Sequence, residues 1–240
     1  MNIENISKPK IFIGYDHREH EAYEICKYSL TRLGYYDFEI VKLRSEDISE
    51  YNRNTGEPQS TDFTFTRFWL PYLCNYKGFS IFVDCDFLFL KDPIEMMKEI
   101  DKNKAVSVVK HPRYIPNSKI KMDDIQQNTY DRKNWSSLMV FNNSHISNKT
   151  FLQPNNLNTR VPGLHFHQFK WLNDDDIGNL SIKWNVLDDY YYMNRNEIGA
   201  IHYTDGGPWF KDYKKTMYSD IWRKMKDEFR NTEERYNLVY

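Results

Sequence analysis

Two carboxylates separated by a single residue follow a strongly apolar stretch of the sequence. Asp84 and Asp86 come directly after residues 79–83, whose apolar side chains predict a strand buried on both faces. Side chains at positions i and i+2 of an extended chain point to the same side, so these carboxylates would repel each other unless a cation neutralised them. Hard oxygen ligands suit Mg²⁺ or Mn²⁺, and open α/β sheets bind ligands beyond the carboxyl ends of their strands. The spacing therefore indicates a divalent cation site, with two solvated loop aspartates as the alternative.

A histidine closes a second apolar stretch near the end of the chain. His202 lies in residues 198–203, and Gly206 and Gly207 follow it. Glycine lacks a Cβ, so a Gly-Gly turn lets the backbone approach a ligand closely. Taken alone, the pattern favours an ordinary β-turn beside a core histidine.

Three consecutive acidic residues form a third candidate. Asp174, Asp175 and Asp176 lie between Trp171 and Ile177. Acidic runs are usually solvated turns, but the apolar flanks suggest that part of this one points inward, toward a polyol or a cation.

The elements that must position these residues follow an α/β order. Apolar segments predict strands at residues 10–14, 38–43, 79–83, 105–109, 137–141 and 198–203. Helical spacing or composition predicts helices at residues 22–33, 65–73, 93–100, 163–172 and 214–230, whereas 44–62 and 112–133 are predicted to be irregular. Strand, helix, strand at the start is typical of a parallel α/β sheet. With no repeat and no linker, we expect one domain over residues 1–240 that ends in an amphipathic helix.

Composition excludes several other classes. The chain has 240 residues, 16% of them aromatic, and a formal net charge of −1, which argues against disorder and against a dedicated nucleic-acid binder. Three scattered cysteines suggest neither a disulfide framework nor a cysteine zinc site. No apolar run is long enough for a membrane span or a signal peptide, so we expect a soluble cytoplasmic protein.

Jointly and in order, these features resemble the GT-A nucleotide-sugar glycosyltransferases, with glycosyltransferase family 8 as the best match. The resemblance covers most of the chain. The segments that carry it are Gly14-Tyr15-Asp16, then 66–73, 83–93, 134–142 and 174–179, then Lys183-Trp184-Asn185, and finally 202–209.

The resemblance implies a Rossmann-like α/β fold of GT-A type, with a mixed, mostly parallel sheet flanked by helices. It implies a retaining hexosyltransferase that moves a sugar from a nucleotide diphosphate sugar, with a UDP-sugar expected, to a glycan, a lipid-linked glycan or another hydroxyl acceptor, as in polysaccharide biosynthesis. Two routes to retention stay open. The departing phosphate oxygen could take the acceptor proton on the same face, or Asp175 could attack first as a nucleophile.

The resemblance also implies roles for individual residues. Asp84, Asp86 and His202 would bind the metal, and the imidazole favours Mn²⁺ over Mg²⁺. The donor would be bound by Gly14, Tyr15, Asp16, Arg67, Asp84, Ser136, Ser137, Gly206, Gly207 and Lys211. The first three of these would line the nucleobase site. The catalytic set would be Asp174 and Asp175, which would accept hydrogen bonds from sugar hydroxyls, and Arg67, which would sit beside the diphosphate or the sugar.

The sequence departs from the family pattern at two places. Gly207 stands where the family usually has a lysine that touches the diphosphate, so Lys211 or the backbone N–H groups of the Gly-Gly turn would have to replace it. Asp175 stands where the family often has glutamine, which leaves the identity of the donor sugar open.

Two other functions are compatible with parts of the sequence. Phosphatases of the haloacid-dehalogenase type also place an Asp-x-Asp pair after an apolar strand, but they continue with Gly-Thr where Phe87 and Leu88 stand here. A non-catalytic, transferase-like sugar-binding module is the second alternative. The basic residues of the C-terminal helix would also allow contact with an anionic membrane, although acidic residues dilute that charge and packing against the domain is the favoured interpretation.

Overall fold

The computed structural model describes residues 9–33, 38–54, 56–57, 59–112, 120–121, 125–126, 131–159 and 161–237. Its strands are β1 (Lys10–Gly14), β2 (Ile40–Leu43), β3 (Phe79–Val83), β4 (Phe87–Phe89), β5 (Val106–Val108), β6 (Ile120–Lys121), β7 (Ile125–Gln126), β8 (Leu138–Asn142), β9 (Ile177–Asn179), β10 (Val186–Leu187) and β11 (Ala200–His202). Its α-helices are α1 (His20–Thr31), α2 (Leu70–Leu73), α3 (Pro93–Met97), α4 (Ile146–Phe151), α5 (Pro154–Leu157), α6 (Gly163–His167) and α7 (Ser219–Asn237).

A six-stranded sheet forms the centre of the fold. Its strand order is β2-β1-β3-β8-β5-β9, and β8 alone of the six runs antiparallel to its neighbours. The carboxyl ends of β1, β3 and β5 therefore meet the amino end of β8 at one edge. The arrangement confirms the expected mixed, mostly parallel sheet, and it brings the residues after β3 beside those before β8.

A second, three-stranded sheet carries the C-terminal histidine. β11 pairs parallel with β10 and antiparallel with β4, in the order β10-β11-β4. Because β4 begins three residues after Asp84, this short sheet links the predicted carboxylates to a segment more than 100 residues later in the sequence.

Several predicted elements differ from those observed. β1 and β3 have the predicted bounds, but the structure also contains β4, β9, β10, α4 and α5, which the sequence did not predict. Residues 65–73 split into a 3₁₀ turn, Thr66–Trp69, and α2. Within the segment predicted to be irregular, β6 and β7 pair antiparallel, whereas residues 113–119, 122–124 and 127–130 lie outside the described residues.

The apolar core has two parts. The larger packs both faces of the central sheet and includes Ile13, Trp69 and Phe82. The smaller lies over the second sheet and includes Leu88 and Ile201. Large aromatic side chains fill both parts, so the strands that hold the site rest on a rigid base.

The C-terminal helix packs onto the fold and starts later than predicted. Trp222 and Met225 of α7 are buried in the smaller core, and Lys226 forms an ion pair with Glu21 of α1. This packing confirms the favoured interpretation of the amphipathic stripe. No helix among the described residues combines the length and apolar character needed to cross a membrane.

Candidate active site

Three predicted metal ligands from distant parts of the sequence meet at the edge of the sheets. Asp84 and Asp86 lie in the turn between β3 and β4, and His202 ends β11. The β4–β11 pairing sets Phe87 opposite His202, and the two rings stack with centroids 4.4 Å apart. One ligand atom of each residue lies within 4.8 Å of the other two, and Nε2 of His202 is 3.4 Å from Oδ2 of Asp86. We call these three residues the carboxylate–histidine cluster.

A chain of hydrogen bonds orients the histidine of the cluster. Nδ1 of His202 donates to Oδ1 of Asn185 over 3.0 Å, and Nδ2 of Asn185 donates to Oγ of Ser137 over 2.9 Å. Ser137 in turn donates to the carbonyl oxygen of Asn134 over 2.7 Å. Because the amide nitrogen of Asn185 is committed to Ser137, its oxygen faces His202, and Nδ1 must carry the proton. Nε2 therefore keeps its lone pair and directs it toward the cluster.

The chemistry of the cluster fits a divalent cation. Oδ1 of Asp86 is buried and has no hydrogen-bond partner among the described residues. A buried carboxylate oxygen without a partner is costly, and a bound cation would remove that cost. Two carboxylates and one imidazole nitrogen form a donor set that suits Mn²⁺ better than Mg²⁺.

Arg67 lies against the cluster on the side of β3. Its Nη1 is 2.9 Å from Oδ1 of Asp84 and donates to the carbonyl oxygen of Ser136 at the same distance. The guanidinium sits over the rings of Phe82 and Phe63, 4.8 and 5.2 Å from their centroids. Arg67 is thus buried and rigidly placed, and it partly neutralises the charge of Asp84.

The two predicted serines lie at the entrance to β8. The backbone N–H of Asp84 donates to the carbonyl oxygen of Ser137 over 2.9 Å, and Oγ of Ser136 lies 2.8 Å from Nδ1 of His167. Burial, with smaller contributions from the nearby cations Arg67 and Arg53, lowers the pKa of His167 to about 3. A neutral His167 therefore holds the Ser136 hydroxyl, while the backbone carbonyl oxygens of Ser136 and Ser137 accept hydrogen bonds from Arg67 and from the backbone N–H of Asp84.

The predicted nucleobase residues follow β1 at the same edge of the sheet. A Cβ added to Gly14 would lie 2.5 Å from the ring of Phe63, so the strand needs glycine at its end. Tyr15 packs edge-on against Tyr23, and Nζ of Lys42 lies 4.2 Å from the Tyr15 ring centroid. A fixed aromatic ring with a cation beside it is a suitable surface for stacking a base.

The carboxylate of Asp16 is hydrogen-bonded within the protein. Its buried carboxylate accepts hydrogen bonds from the backbone and side chain of Arg18 and from the backbone N–H of Asp62. Burial alone would raise the pKa of Asp16, but these hydrogen bonds outweigh it and hold the pKa below its usual value. His17, 3.2 Å from Asp62, joins the same group. Asp16 therefore fixes the turn after β1.

The Gly-Gly turn after β11 is shaped by close packing. Gly206 has a positive φ of +123°, and any Cβ on Gly207 would lie closer than 3.0 Å to the ring of Trp209. Both positions therefore require glycine on structural grounds. Lys211, four residues later, is exposed at the start of a 3₁₀ turn, Lys211–Tyr213.

The acidic run leads into β9. Asp174 exposes 83% of its side chain and forms an ion pair with Arg132, and Lys104 donates to the carbonyl oxygen of Asp175. Asp175 is also exposed. The described contacts of both residues are thus with residues outside the carboxylate–histidine cluster, and their catalytic role stays a prediction.

Sequence reasoning did not find the residues that join the cluster to β8. Asn185 is fully buried and Asn134 has a positive φ of 63°, with Oδ1 accepting from the hydroxyl of Thr204 over 3.3 Å. Asn185 belongs to the Trp-Asn pair that the resemblance included, yet nothing in that pair indicates a bond to His202. Asparagine is one of the few non-glycine residues that adopt the left-handed region readily, which suits Asn134 to the turn before β8.

Comparisons with known proteins place this geometry in context. No protein-family profile matches the sequence. Protein CDI of Arabidopsis thaliana is 39% identical over 227 residues, which are 92% of this chain and 86% of that protein.

Solved structures share the fold at low identity. The WbbM bifunctional glycosyltransferase matches with a TM-score of 0.61 and 15% identity over 94% of this chain and 50% of its own. GlyE of Streptococcus pneumoniae TIGR4 gives 0.59 and 13% over 91% and 60%, and an active-site mutant of LgtC gives 0.56 and 10% over 91% and 95%. The chain spans half of the WbbM chain and 60% of the GlyE chain. These likenesses establish a GT-A fold.

Proposed function

We propose, from the GT-A fold and from the geometry of the site, that this chain is a retaining glycosyltransferase. The chain belongs to the family of Protein CDI of Arabidopsis thaliana. In this proposal a sugar passes from a nucleotide diphosphate sugar, with UDP as the nucleotide, to a hydroxyl group of a glycan or lipid-linked acceptor. The reaction is Mn²⁺-dependent and of the hexosyltransferase kind.

The observation that carries the proposal is the oriented carboxylate–histidine cluster. Two carboxylates and an imidazole whose tautomer is fixed by Asn185 form a cation site at the edge where the sheet would receive a nucleotide. A diphosphate leaving group would use such a site, because negative charge gathers on it as the glycosidic bond breaks. A bound divalent cation would supply the charge that stabilises this leaving group.

The residues of the chain would bind and orient the donor around the cluster. Arg67 offers further guanidinium N–H donors beside Asp84, where a diphosphate would lie. Tyr15 would stack on the base, and the backbone of the Gly206-Gly207 turn would approach the diphosphate. Lys211, exposed on the adjoining 3₁₀ turn, would reach it by a change of rotamer.

We place retention on the same-face route. The departing phosphate oxygen would take the proton of the acceptor hydroxyl, so no separate base is needed. The exposure of Asp174 and Asp175 supports this choice, because a carboxylate nucleophile works best when it is held and shielded from water. In this route the two residues would accept hydrogen bonds from sugar hydroxyls.

A panel of nucleotide sugars tests the proposal. Hydrolysis or transfer would be measured for UDP-glucose, UDP-galactose and UDP-N-acetylglucosamine and their GDP counterparts, with Mn²⁺, with Mg²⁺ and with a chelator. We expect release of UDP that requires Mn²⁺ and is abolished in Asp86→Ala, because this substitution removes one of the three proposed metal ligands. Asp227→Ala, an exposed carboxylate on α7, is the matched control and should retain full activity.

Each other outcome identifies an alternative. Binding of the nucleotide sugar without turnover under any condition would favour the non-catalytic sugar-binding module. Release of phosphate from simple phosphate monoesters, lost in Asp84→Asn, would favour the haloacid-dehalogenase type of phosphatase. Equal activity in the presence of the chelator would refute the metal-dependent mechanism.

A further inference from the structure

A second histidine lies beside the cluster, in a place that the sequence reasoning did not consider. His111 follows β5 by three residues, and only 4% of its surface is exposed. Its carbonyl oxygen accepts a hydrogen bond from Nε1 of Trp135 over 3.0 Å. Its ring interacts with the side chain of Asn185, which in turn holds the imidazole of His202.

The ring of His111 is buried, and its polar contact within the described residues is with the side chain of Asn185. Neither Nδ1 nor Nε2 forms a hydrogen bond of ordinary geometry with a described residue. The amide of the adjacent Asn185 is already engaged by His202 and Ser137. A neutral imidazole offers one donor and one acceptor. Burying them without well-formed hydrogen bonds costs stability, which suggests that a ligand satisfies them.

Tyr191 places a second buried polar group beside the ring of His111. Its ring is parallel to that of His111, with 7° between the planes and centroids 5.8 Å apart, and its hydroxyl is also buried without a partner among the described residues. The Tyr191 segment is held in place, because the hydroxyl of Tyr218 donates to the Tyr191 carbonyl oxygen. Burial raises the pKa of Tyr191, so its hydroxyl stays protonated.

The order of the strands indicates what this pair would bind. Along the sheet, the proposed base site follows β1, the carboxylates follow β3, and His111 follows β5 on the far side of β8. A nucleotide diphosphate laid from β1 to the cluster would therefore direct its sugar toward β5. A sugar hydroxyl both donates and accepts, as a neutral imidazole does.

We propose that His111 and Tyr191 form a subsite for the hydroxyl groups of a sugar, next to the carboxylate–histidine cluster. The proposal rests on the function proposed above, and it names the residues that distinguish a sugar from the bare nucleotide. The sugar is either the one being transferred or that of the acceptor, and the chemistry of recognition is the same for both.

Calorimetric titration of His111→Phe and Tyr191→Phe distinguishes the two sources. The probes are UDP, UDP-glucose, UDP-galactose and methyl glycosides, each with Mn²⁺. We expect unchanged binding of UDP in both variants, since the nucleotide does not reach the subsite. Weaker binding of a UDP-sugar, by about three- to tenfold for one lost hydrogen bond, would assign the subsite to the transferred sugar. The same loss for a methyl glycoside alone would assign it to the acceptor.

Thermal melting without any ligand tests the inference independently of the function. His167→Phe is the control, because His167 is a partly buried neutral histidine of equal size whose Nδ1 is hydrogen-bonded to Ser136. We expect His111→Phe to melt at or above the parent temperature and His167→Phe to melt below it. Tyr191→Phe removes only an oxygen and serves if the larger change prevents folding.

Two results would overturn the inference. The first is unchanged affinity of both variants for every sugar-containing probe, in a protein that binds UDP. The second is a melting temperature for His111→Phe as low as that of His167→Phe, which would mean that the His111 ring nitrogens are satisfied within the protein. Failure of the parent to bind any nucleotide would instead refute the proposed function, and the melting comparison would still decide the state of His111.

Discussion

Asn185→Ala tests the orientation of the metal-binding histidine. In the parent, Oδ1 of Asn185 holds the proton on Nδ1 of His202, so Nε2 can bind a cation. The substitution removes this acceptor, and the proton is then free to move to Nε2, which faces Asp86 at 3.4 Å. In that tautomer the nitrogen that faces the cluster has no lone pair to offer.

The expected loss of Mn²⁺ affinity can be judged from other metal-binding histidines that lose the hydrogen-bond partner of their second ring nitrogen. Losing such a partner weakens metal binding by about 10- to 100-fold, or about 1.4 to 2.8 kcal/mol. Mn²⁺ affinity would be measured by calorimetry or by electron paramagnetic resonance, and the protonated nitrogen of His202 by ¹⁵N correlation spectroscopy. We expect an Nδ1–H ring in the parent and a mixture of tautomers in Asn185→Ala.

Asn143→Ala is the matched control. Asn143 is equally buried, accepts a hydrogen bond from Ser80 and donates to the carbonyl oxygen of Lys77, at the other end of β8. Both variants should lose about 1 to 3 kcal/mol of unfolding free energy, because each leaves buried polar groups unpaired. Only Asn185→Ala should weaken Mn²⁺ binding. Parent-like affinity in Asn185→Ala, or an equal loss in Asn143→Ala, would refute the reasoning.

Three further predictions concern other parts of the structure. Gly207→Ala should lower the melting temperature by several degrees, because its Cβ would overlap the Trp209 ring, and an unchanged melting curve would contradict this packing. Asp175→Asn should keep transfer within about tenfold of the parent if the same-face route holds, whereas near-complete loss with a trapped glycosyl adduct would establish double displacement. Burial holds the pKa of His167 at about 3, so the folded state binds fewer protons than the unfolded state below pH 6.5, and stability should fall with falling pH by up to about 1.4 kcal/mol per unit in denaturant titrations. His167→Gln should reduce this dependence without removing it, because His111, whose pKa is also lowered to about 3, still contributes, whereas His20→Gln, at an exposed position, should leave it unchanged.

The sequence predicts well the elements whose bounds are set locally. β1 and β3 were predicted to the residue because each is a short, predominantly apolar run, closed by Gly14 in one case and by Asp84 in the other. The start of α7 was wrong by five residues because its position depends on tertiary contacts. The backbone N–H groups of Met217 and Tyr218 are taken by the carboxylates of Asp189 and Asp188, so the chain enters the helix only at Ser219.

The element that the sequence missed is the one that assembles the site. β4 has only three residues, too few for any periodicity, and the acidic turn before it conceals its start. Yet its pairing with β11 sets Phe87 opposite His202 and thereby closes the long interval between the carboxylates and the imidazole. The three ligand types could be predicted from composition and order, whereas their convergence depends on this short antiparallel pairing and on the Asn185 hydrogen bond. A substitution that disrupts the β4–β11 pairing should therefore abolish Mn²⁺ binding while all three ligands are still present.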